Sequence, residues 1–402
     1  MMKPKRTHTR GETCNLAGCS LAVLLSGLMA VQGGVIGTTG NSFDLSDPAA
    51  WEGGVVPGPG DTANITHDGK YTAHSSLELN FGGMTFEAPD VEIVAQKDLP
   101  FTILLGTGGI GGDSQGQKRL GGGAGNGNWV LDTGVSNQTW SQNLILAAEL
   151  AGSATIEVTG WVWLRSLKGN KNFAGTWLIN GGSIRGHSNF GGPDITFQLK
   201  NRGVLAFQAT TPQGGSYKLA NARVEVLDEG ELVFPGNGSE KNMEWILQYP
   251  TSGNGSLTLA VKDRHVGNAA ILYIESTFEH RGNTLIAGGV TSGKAPFQVK
   301  LTPNGSIKFH IGANGVNNAI LESPDKEQSE LLLDGFFILD LSHAQVANGN
   351  SWKLVDQNLD SITYGSNFQV QGFKKTGTTW TRTESGTTWT FDQSTGVLKV
   401  GS

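Results

Sequence analysis

Between Gly152 and Ile311 the sequence contains seven segments that each begin on a glycine and continue as an alternating strand. They are GSATIEV (152–158), GTWLING (175–181), GVLAFQA (203–209), GELVFPG (230–236), GSLTLAV (255–261), GNTLIAG (282–288) and GSIKFHI (305–311). Their glycines follow one another at intervals of 23 to 28 residues. A repeat of this length is typical of a solenoid, in which each unit stacks on the one before it.

The alternation within these segments has the same phase in each of them. The fourth residue after each glycine is large and apolar: Ile156, Ile179, Phe207, Phe234, Leu259, Ile286 and Phe309. The second residue after it is apolar with one exception: Ala154, Trp177, Leu205, Leu232, Leu257, Thr284 and Ile307. Since alternate side chains of a strand point to opposite faces, stacked segments would form apolar columns along one axis. The pattern predicts an all-β fold, a parallel β-helix of about 25 residues per rung whose coils share a core.

The composition of the 402-residue chain agrees with a turn-rich β protein. Glycine contributes 59 residues without the three-residue period of collagen, and 16% of the residues are charged, against about a quarter in an average domain. Glycine suits tight turns because it adopts positive φ without steric cost. The formal net charge of −6 comes with no basic stripe, so we expect no nucleic-acid partner.

Residues 1–34 have the pattern of a signal peptide, in which basic residues precede the apolar run 21–31. That run is too short for a membrane-spanning helix. An uncleaved anchor is one alternative, and a lipobox at 16–19 (Leu-Ala-Gly-Cys) is another, although the apolar run follows that box. Both cysteines, Cys14 and Cys19, lie in this leader. We therefore expect an exported chain, extracellular, at the cell surface or periplasmic, whose mature form has no disulfide and no transmembrane segment.

The rest of the sequence predicts three regions. Residues 35–63 form an N-terminal lead-in and cap, in which Trp51 covers the core of the first coil. Residues 64–330 form the β-helix, and we expect the glycine-rich stretch 106–128 to leave it as a loop. Residues 331–402 form a β-rich antiparallel closure over the last coil, because an uncovered sheet edge would pair with other chains.

A hairpin is predicted within this closure. The stretch 378–392 (TTWTRTESGTTWTFD) contains two alternating strands around the loop Glu-Ser-Gly. Trp380 and Trp389 each lie between threonines in these strands. If exposed and coplanar, their rings would stack on sugars and indicate a carbohydrate-binding module; if buried, they belong to the core or cap. We expect the second arrangement.

Several motifs outside the repeats resemble a known family. They are the lead-in Trp51…Pro57…Gly60-Asp61-Thr62-Ala63, the rung 173–184 (FAGTWLINGGSI), and the C-terminal stretches 333–342 (LDGFFILDLS), 352–356 (WKLVD), 363–365 (TYG) and 389–398. Over most of residues 50–402 the chain is similar to bacterial exported proteins with autotransporter-associated β-strand repeats. The resemblance implies a right-handed β-helix at the cell surface or outside the cell. The sequence departs from the family pattern in that we expect a passenger-like chain without a membrane barrel of its own. It implies little about chemistry.

Motifs for nucleotide or metal binding are weak. Gly106, Gly108 and Gly111 match a dinucleotide fingerprint, but we expect no helix after them. Residues 108–113 overlap a calcium-binding repeat that needs tandem copies. The eight histidines form no close ligand pair, and a zinc site needs three or four converging ligands. We therefore predict no catalytic, cofactor-binding or metal-binding residue and no cofactor.

The densest group of ionisable residues includes Arg264, His265, His280 and Arg281. On one concave face these side chains would suit a polysaccharide lyase, whereas a hydrolase would need two carboxylates about 5–9 Å apart. We expect instead a non-enzymatic structural or adhesion-type protein outside the cell, with a carbohydrate-active enzyme or carbohydrate-binding module as the alternative. The expected partners are surface glycans or other extracellular matrix components, and we expect a monomer. The fold by itself does not choose between these functions.

Overall fold

The computed structural model places one compact unit between Gly33 and Ser402. The predicted leader lies outside the residues that the structure describes, which are 33–73, 78–95, 100–113, 115–121, 129–165, 170–186, 190–192, 194–208, 215–219, 222–234, 243–261, 270–288, 297–324 and 329–401. In these ranges the regular elements are β-strands and two short 3₁₀ turns, Pro48–Ala50 and Glu52–Gly54.

Among the described residues, the largest sheet, here called the first sheet, contains seventeen strands. In chain order they are Val35–Gly37, Thr62–Ile65, Glu78–Phe86, Thr102–Gly111, Val130–Asp132, Gln138–Trp140, Glu149–Gly152, Thr155–Val158, Asn172–Phe173, Thr176–Asn180, Ile195–Lys200, Ala222–Val226, Thr251–Gly253, Thr277–Phe278, Ser306–His310, Phe336–Asp340 and Gln369–Val370. Neighbouring strands pair in parallel throughout.

Two further parallel sheets form the other sides of the coil. In the part of the chain that the structure describes, the second sheet has eleven strands: Gly69–Tyr71, Val91–Ile93, Lys118–Leu120, Leu144–Leu146, Trp161–Leu164, Ser183–Gly186, Gly203–Phe207, Glu229–Val233, Ser256–Ala260, Thr284–Ala287 and Ile320–Glu322. The third sheet has six strands within the described ranges: Gly215–Leu219, Met243–Leu247, Ala270–Ile274, Phe297–Leu301, Ser329–Leu333 and Ser361–Tyr364.

The chain passes from sheet to sheet and returns one rung later, which makes the fold a parallel β-helix as predicted. Val224 of the first sheet is paired with Thr251, which follows it by 27 residues after one strand in each of the other two sheets. Trp177 is paired with Phe197 after only 20 residues, because a single strand of the second sheet, Ser183–Gly186, lies between them. The length of a rung therefore depends on whether a third-sheet strand is included.

The predicted alternation is confirmed, because both inward positions are buried in every glycine segment. The seven segments do not all stack in one sheet. Segments beginning at Gly152, Gly175 and Gly305 lie in the first sheet, whereas those at Gly203, Gly230, Gly255 and Gly282 stack in the second sheet. A glycine corner precedes strands on either side of the coil, so the local pattern does not say which side a strand occupies.

The register along the second sheet also differs from the glycine alignment. Gly203 is opposite Gly230, but Gly230 is opposite Leu257 rather than Gly255. A slip of two residues leaves each side chain on its original face, because strands alternate with a period of two. Leu232 consequently still stacks on Leu259 inside the coil.

The stretch 106–111, expected to be part of a loop, is the second half of the strand Thr102–Gly111. Gly108 lies directly against the backbone of the rung below, where an added Cβ would approach Gly83 Cα to 3.0 Å. The glycines permit close approach of two backbones and do not form a mobile excursion there.

Parallel pairing extends beyond residues 64–330 in both directions. Val35 is already paired with Thr62, and Phe337 is paired with Val370.

At the N-terminal end Trp51 is 1% exposed; its indole N–H donates to the Leu45 carbonyl oxygen at 2.9 Å. The ring packs edge-on against Phe81 with centroids 5.9 Å apart, so Trp51 covers the first coils as predicted.

A five-stranded antiparallel sheet, the cap sheet, closes the C-terminal end. Its strands are Ser351–Lys353, Val397–Val400, Thr387–Asp392, Thr379–Glu384 and Lys374–Thr376, in that spatial order. The predicted hairpin is present, but its loop has two residues, since Glu384 is paired with Thr387. Ser385 (φ 51°) and Gly386 (φ 77°) both have positive φ, as a type I′ turn requires.

Candidate functional site

The predicted ionisable cluster is not assembled by the residues that the structure describes. Arg264 and His265 lie outside the described residues. His280 is 2% exposed, whereas the adjacent Arg281 is exposed. His280 and Arg281 therefore do not line a shared surface groove, and His280 is not open to a polymeric substrate.

His280 fills a corner between the first and second sheets. Its Nδ1 lies 2.9 Å from the Thr251 hydroxyl oxygen, and its Nε2 lies 2.9 Å from that of Thr284. A neutral imidazole matches this pair, because one ring nitrogen donates and the other accepts while hydroxyls do either. The backbone oxygen of His280 accepts from the Asn318 amide at 3.2 Å.

Burial lowers the pKa of His280 from 6.5 to about 4. A hydrogen bond with the backbone of Asn283 raises the pKa, and the charge of nearby His310 lowers it. Desolvation dominates because the charged imidazolium loses its hydration inside the coil. The ring is thus a neutral hydrogen-bonding member of the core.

Lys118 is a second ionisable side chain that points into the coil. Its backbone is paired with buried Val91 and Leu144. Its ammonium group donates to the carbonyl oxygens of Pro89 at 3.0 Å and of Gly116 at 3.1 Å. Burial lowers the pKa of Lys118, while the charges of Asp68 and Asp90 raise it. These contacts bind two stacked corners together, which is a structural role.

Trp380 and Trp389 are buried, with 5% and 3% exposure. Trp389 lies 5.5 Å from Trp352 and Trp380 lies 5.7 Å from Phe368, measured between ring centroids. Trp352 belongs to the cap sheet, so the Trp389 ring packs inside that sheet, whereas Trp380 packs on Phe368 next to the last strand of the first sheet. The core or cap expectation is therefore confirmed. A sugar platform formed by these two rings is excluded by their burial.

The weak nucleotide and metal motifs also have defined positions. Gly106, Gly108 and Gly111 lie within the strand Thr102–Gly111, and the described residues that follow, 112–113 and 115–121, include no helix N-terminus to hold a pyrophosphate. Within the described ranges, no group of three or more His, Cys, Asp or Glu side chains is arranged to hold a metal ion. The same ranges include no helix with the length and apolar character needed to cross a membrane.

The most distinctive surface feature is a pair of tryptophans on the outside of the second sheet. In the strand Trp161–Leu164 the residues Val162 and Leu164 point inward and are buried, so Trp161 and Trp163 point outward and are half-buried. Their ring centroids are 5.9 Å apart, with planes inclined by 57°. Two outward tryptophans on one strand offer a large apolar surface to a ligand.

Arginines surround Trp163. The guanidinium carbon of Arg165 lies 4.5 Å from the Trp163 ring centroid, and that of Arg185 lies 5.4 Å from it. Both distances are within the range of cation–π attraction, which extends to about 6 Å. Arg185 reaches the ring because it is directly opposite Trp163 in the parallel ladder.

The same outward column continues on the other side of Trp163. Ile145 is opposite Trp163, and Arg119 is opposite Ile145. Arg119 lies 3.8 Å from Glu92 in an ion pair whose arginine side chain is 43% exposed. We call this surface the Trp-Arg patch. It consists of Arg119, Trp161, Trp163, Arg165 and Arg185 together with Ile145, which is 2% exposed and lies buried between Arg119 and Trp163 in the ladder.

The sequence analysis did not predict the Trp-Arg patch, although three of its residues, Trp161, Trp163 and Arg165, lie in one short stretch of sequence. In Trp161-Val-Trp-Leu-Arg165 both faces of the strand are apolar, and only Arg165 indicates which face is outward. Arg119, Ile145 and Arg185 join the patch through the register of separate rungs, which no local pattern reveals.

Comparison with known proteins adds no assignment to these features. Neither a scan of the chain against protein-family models nor a search of curated proteins finds a match.

Proposed function

We propose that this chain is an exported, non-enzymatic β-helix that acts as a monomeric structural or adhesion module outside the cell or at its surface. We propose as well that it belongs with the autotransporter-associated β-strand repeat proteins that its motifs resemble. Surface glycans or other extracellular matrix components are its proposed partners, and nucleic acid is not among them.

One observation carries this proposal: the stack of rungs is continuous, and its interior is filled with side chains. Thirteen successive parallel pairings connect Val35–Gly37 to Gln369–Val370. At about 4.8 Å per step the stack is roughly 60 Å long. Large side chains occupy its interior from Trp51 to Trp389. A β-helix of this kind holds its outward side chains at a constant spacing. This suits a protein that attaches to a surface or keeps two surfaces apart.

The caps support the monomeric part of the proposal. Exposed sheet edges pair with further chains, and aromatic side chains cover both ends of the stack. Trp51 packs on Phe81 at one end, and Phe391 packs on Phe337 at the other with centroids 5.8 Å apart.

Binding and turnover measured together test this proposal. The purified chain is immobilised on beads and offered a panel of neutral and acidic polysaccharides, with heat-denatured chain as the control. Retention of a polysaccharide without new reducing ends or unsaturated uronates is the expected result. Release of either product would identify a carbohydrate-active enzyme and overturn the non-enzymatic function. Retention equal to that of the denatured control would overturn adhesion to glycans.

A further inference from the structure

We propose that the Trp-Arg patch is a binding site for an acidic polysaccharide whose sugar units carry carboxylates. The inference rests on the proposed function, since it names the partner class and the surface for an adhesion module. It concerns the outer face of the second sheet between Lys118–Leu120 and Ser183–Gly186, a surface distinct from the predicted ionisable cluster and from the cap.

The charge of the patch runs against that of the whole chain. The protein has a formal net charge of −6, whereas the patch contains three arginines and its neighbouring acid, Glu92, is paired with Arg119. Guanidinium groups bind carboxylates through two parallel hydrogen bonds, a geometry that lysine does not offer. An acidic ligand is therefore complementary to this surface.

The aromatic rings distinguish a sugar chain from a simple anion. Trp161 and Trp163 are half-buried indoles on this surface, and the guanidinium groups of Arg165 and Arg185 lie over the Trp163 ring. Indole combines a large apolar face with a polar edge, so it packs against partly apolar ligands, and the C–H face of a sugar ring is such a surface. Arg165 and Arg185 are already held against Trp163, which reduces the entropy lost when they bind a ligand.

The length of the patch favours a polymer over a single sugar. Arg119 and Arg185 belong to one column, separated by three rung steps through Ile145 and Trp163. At about 4.8 Å per step they are roughly 14 Å apart along the helix axis. A ligand that reaches both arginines must span several sugar units.

The test measures binding of the full exported chain to immobilised polygalacturonate, with neutral dextran and single-stranded oligothymidylate as comparison ligands. The variants are the double substitution Arg165→Gln/Arg185→Gln and the single substitution Trp161→Ala. Arg223→Gln is the matched control, because Arg223 is an exposed outward arginine on the first sheet. Thermal unfolding of every variant checks that the β-helix is intact.

We expect polygalacturonate to bind and dextran not to bind. The double arginine variant should bind about tenfold or more weakly and Trp161→Ala about three- to tenfold more weakly, while Arg223→Gln changes the dissociation constant less than about twofold. The double variant removes two charges and Arg223→Gln removes one. A loss in Arg223→Gln of half the double variant's loss or more, in binding free energy, would show that net charge alone matters and would overturn the site. Tighter binding of oligothymidylate than of polygalacturonate would overturn the ligand class in favour of single-stranded nucleic acid.

The same experiment separates this inference from the proposed function. Polygalacturonate that binds through the patch and is also cleaved would leave the site standing and overturn the non-enzymatic function. Polygalacturonate that binds equally to all variants would overturn the patch while leaving glycan adhesion in place.

Discussion

The buried imidazole of His280 predicts that the stability of the β-helix falls when the pH is lowered from neutral to 4. The folded-state pKa is about 4 against an ordinary 6.5, so the unfolded chain binds the proton more readily than the folded chain. Unfolding free energy therefore rises with pH between these values. The contribution of His280 is fully present above pH 6.5 and is lost as the pH falls toward 4.

The magnitude follows from the size of the shift. A difference of one pKa unit corresponds to about 1.4 kcal/mol, so the shift from 6.5 to about 4 corresponds to roughly 3 kcal/mol in full. Most of that loss, about 2.5 kcal/mol, is expected between pH 7.5 and 4.5.

The assay compares the native chain with His280→Gln by urea unfolding at several pH values between 7.5 and 4.5. Glutamine retains an amide that can bond to Thr251 and Thr284, and it does not titrate. Carboxylates titrate in both proteins, so the difference between the two curves isolates His280. We expect the variant to be less stable at pH 7.5 and the difference to shrink by about 2.5 kcal/mol at pH 4.5. A difference that stays constant over this range would refute the neutral buried imidazole.

Three further predictions concern the core, the cap and the hairpin. Leu259→Ala should lower the unfolding free energy by about 3–5 kcal/mol, because Leu259 stacks between Leu232 and Ile286; Thr258→Ala on the outer face of the same strand should cost less than about 1 kcal/mol. Similar urea midpoints for these two variants would contradict the assigned faces. Trp389→Ala should destabilise the cap sheet by about 3–5 kcal/mol and produce self-association in light scattering, whereas Trp161→Ala, which removes an outward ring, should stay monodisperse. A monodisperse Trp389→Ala protein would show that the cap is not needed to shield the edge. Gly386→Ala should lower the melting temperature by the equivalent of about 1 kcal/mol or more, and Gly386→Asn by less, because φ at this position is 77°; equal melting temperatures for both variants and the native chain would argue against the type I′ turn.

The alternation of apolar residues predicted the faces of the strands because it is a local property. Leu205, Leu232 and Leu259 are buried as predicted, and the chain turns before Gly203 with positive φ at Asn201 and Arg202. The hairpin around Trp380 and Trp389 was also predicted, with one loop residue too many. Each of these features depends on a few consecutive residues.

The features that sequence reasoning missed depend on which rungs are neighbours. Glycine spacing alone placed Gly230 opposite Gly255, while packing in the second sheet places it opposite Leu257. His280 and Arg281 are adjacent in sequence but lie on opposite sides of the coil wall, one buried and one exposed. Burial of a polar side chain is decided by the partners that surround it, here Thr251 and Thr284.

The amino-acid sequence by itself determined that this chain forms a β-solenoid, because strand alternation and a leading glycine repeat in seven segments between Gly152 and Ile311. Only the tertiary structure decided which strands share a sheet, how the rungs align, and which surface carries chemistry. Trp163 and Arg185 are 22 positions apart in the sequence and directly opposite in the ladder. Rungs vary in length, so a local sequence pattern does not reveal how many residues separate two side chains that are opposite in the ladder. The packing of the shared core sets that number.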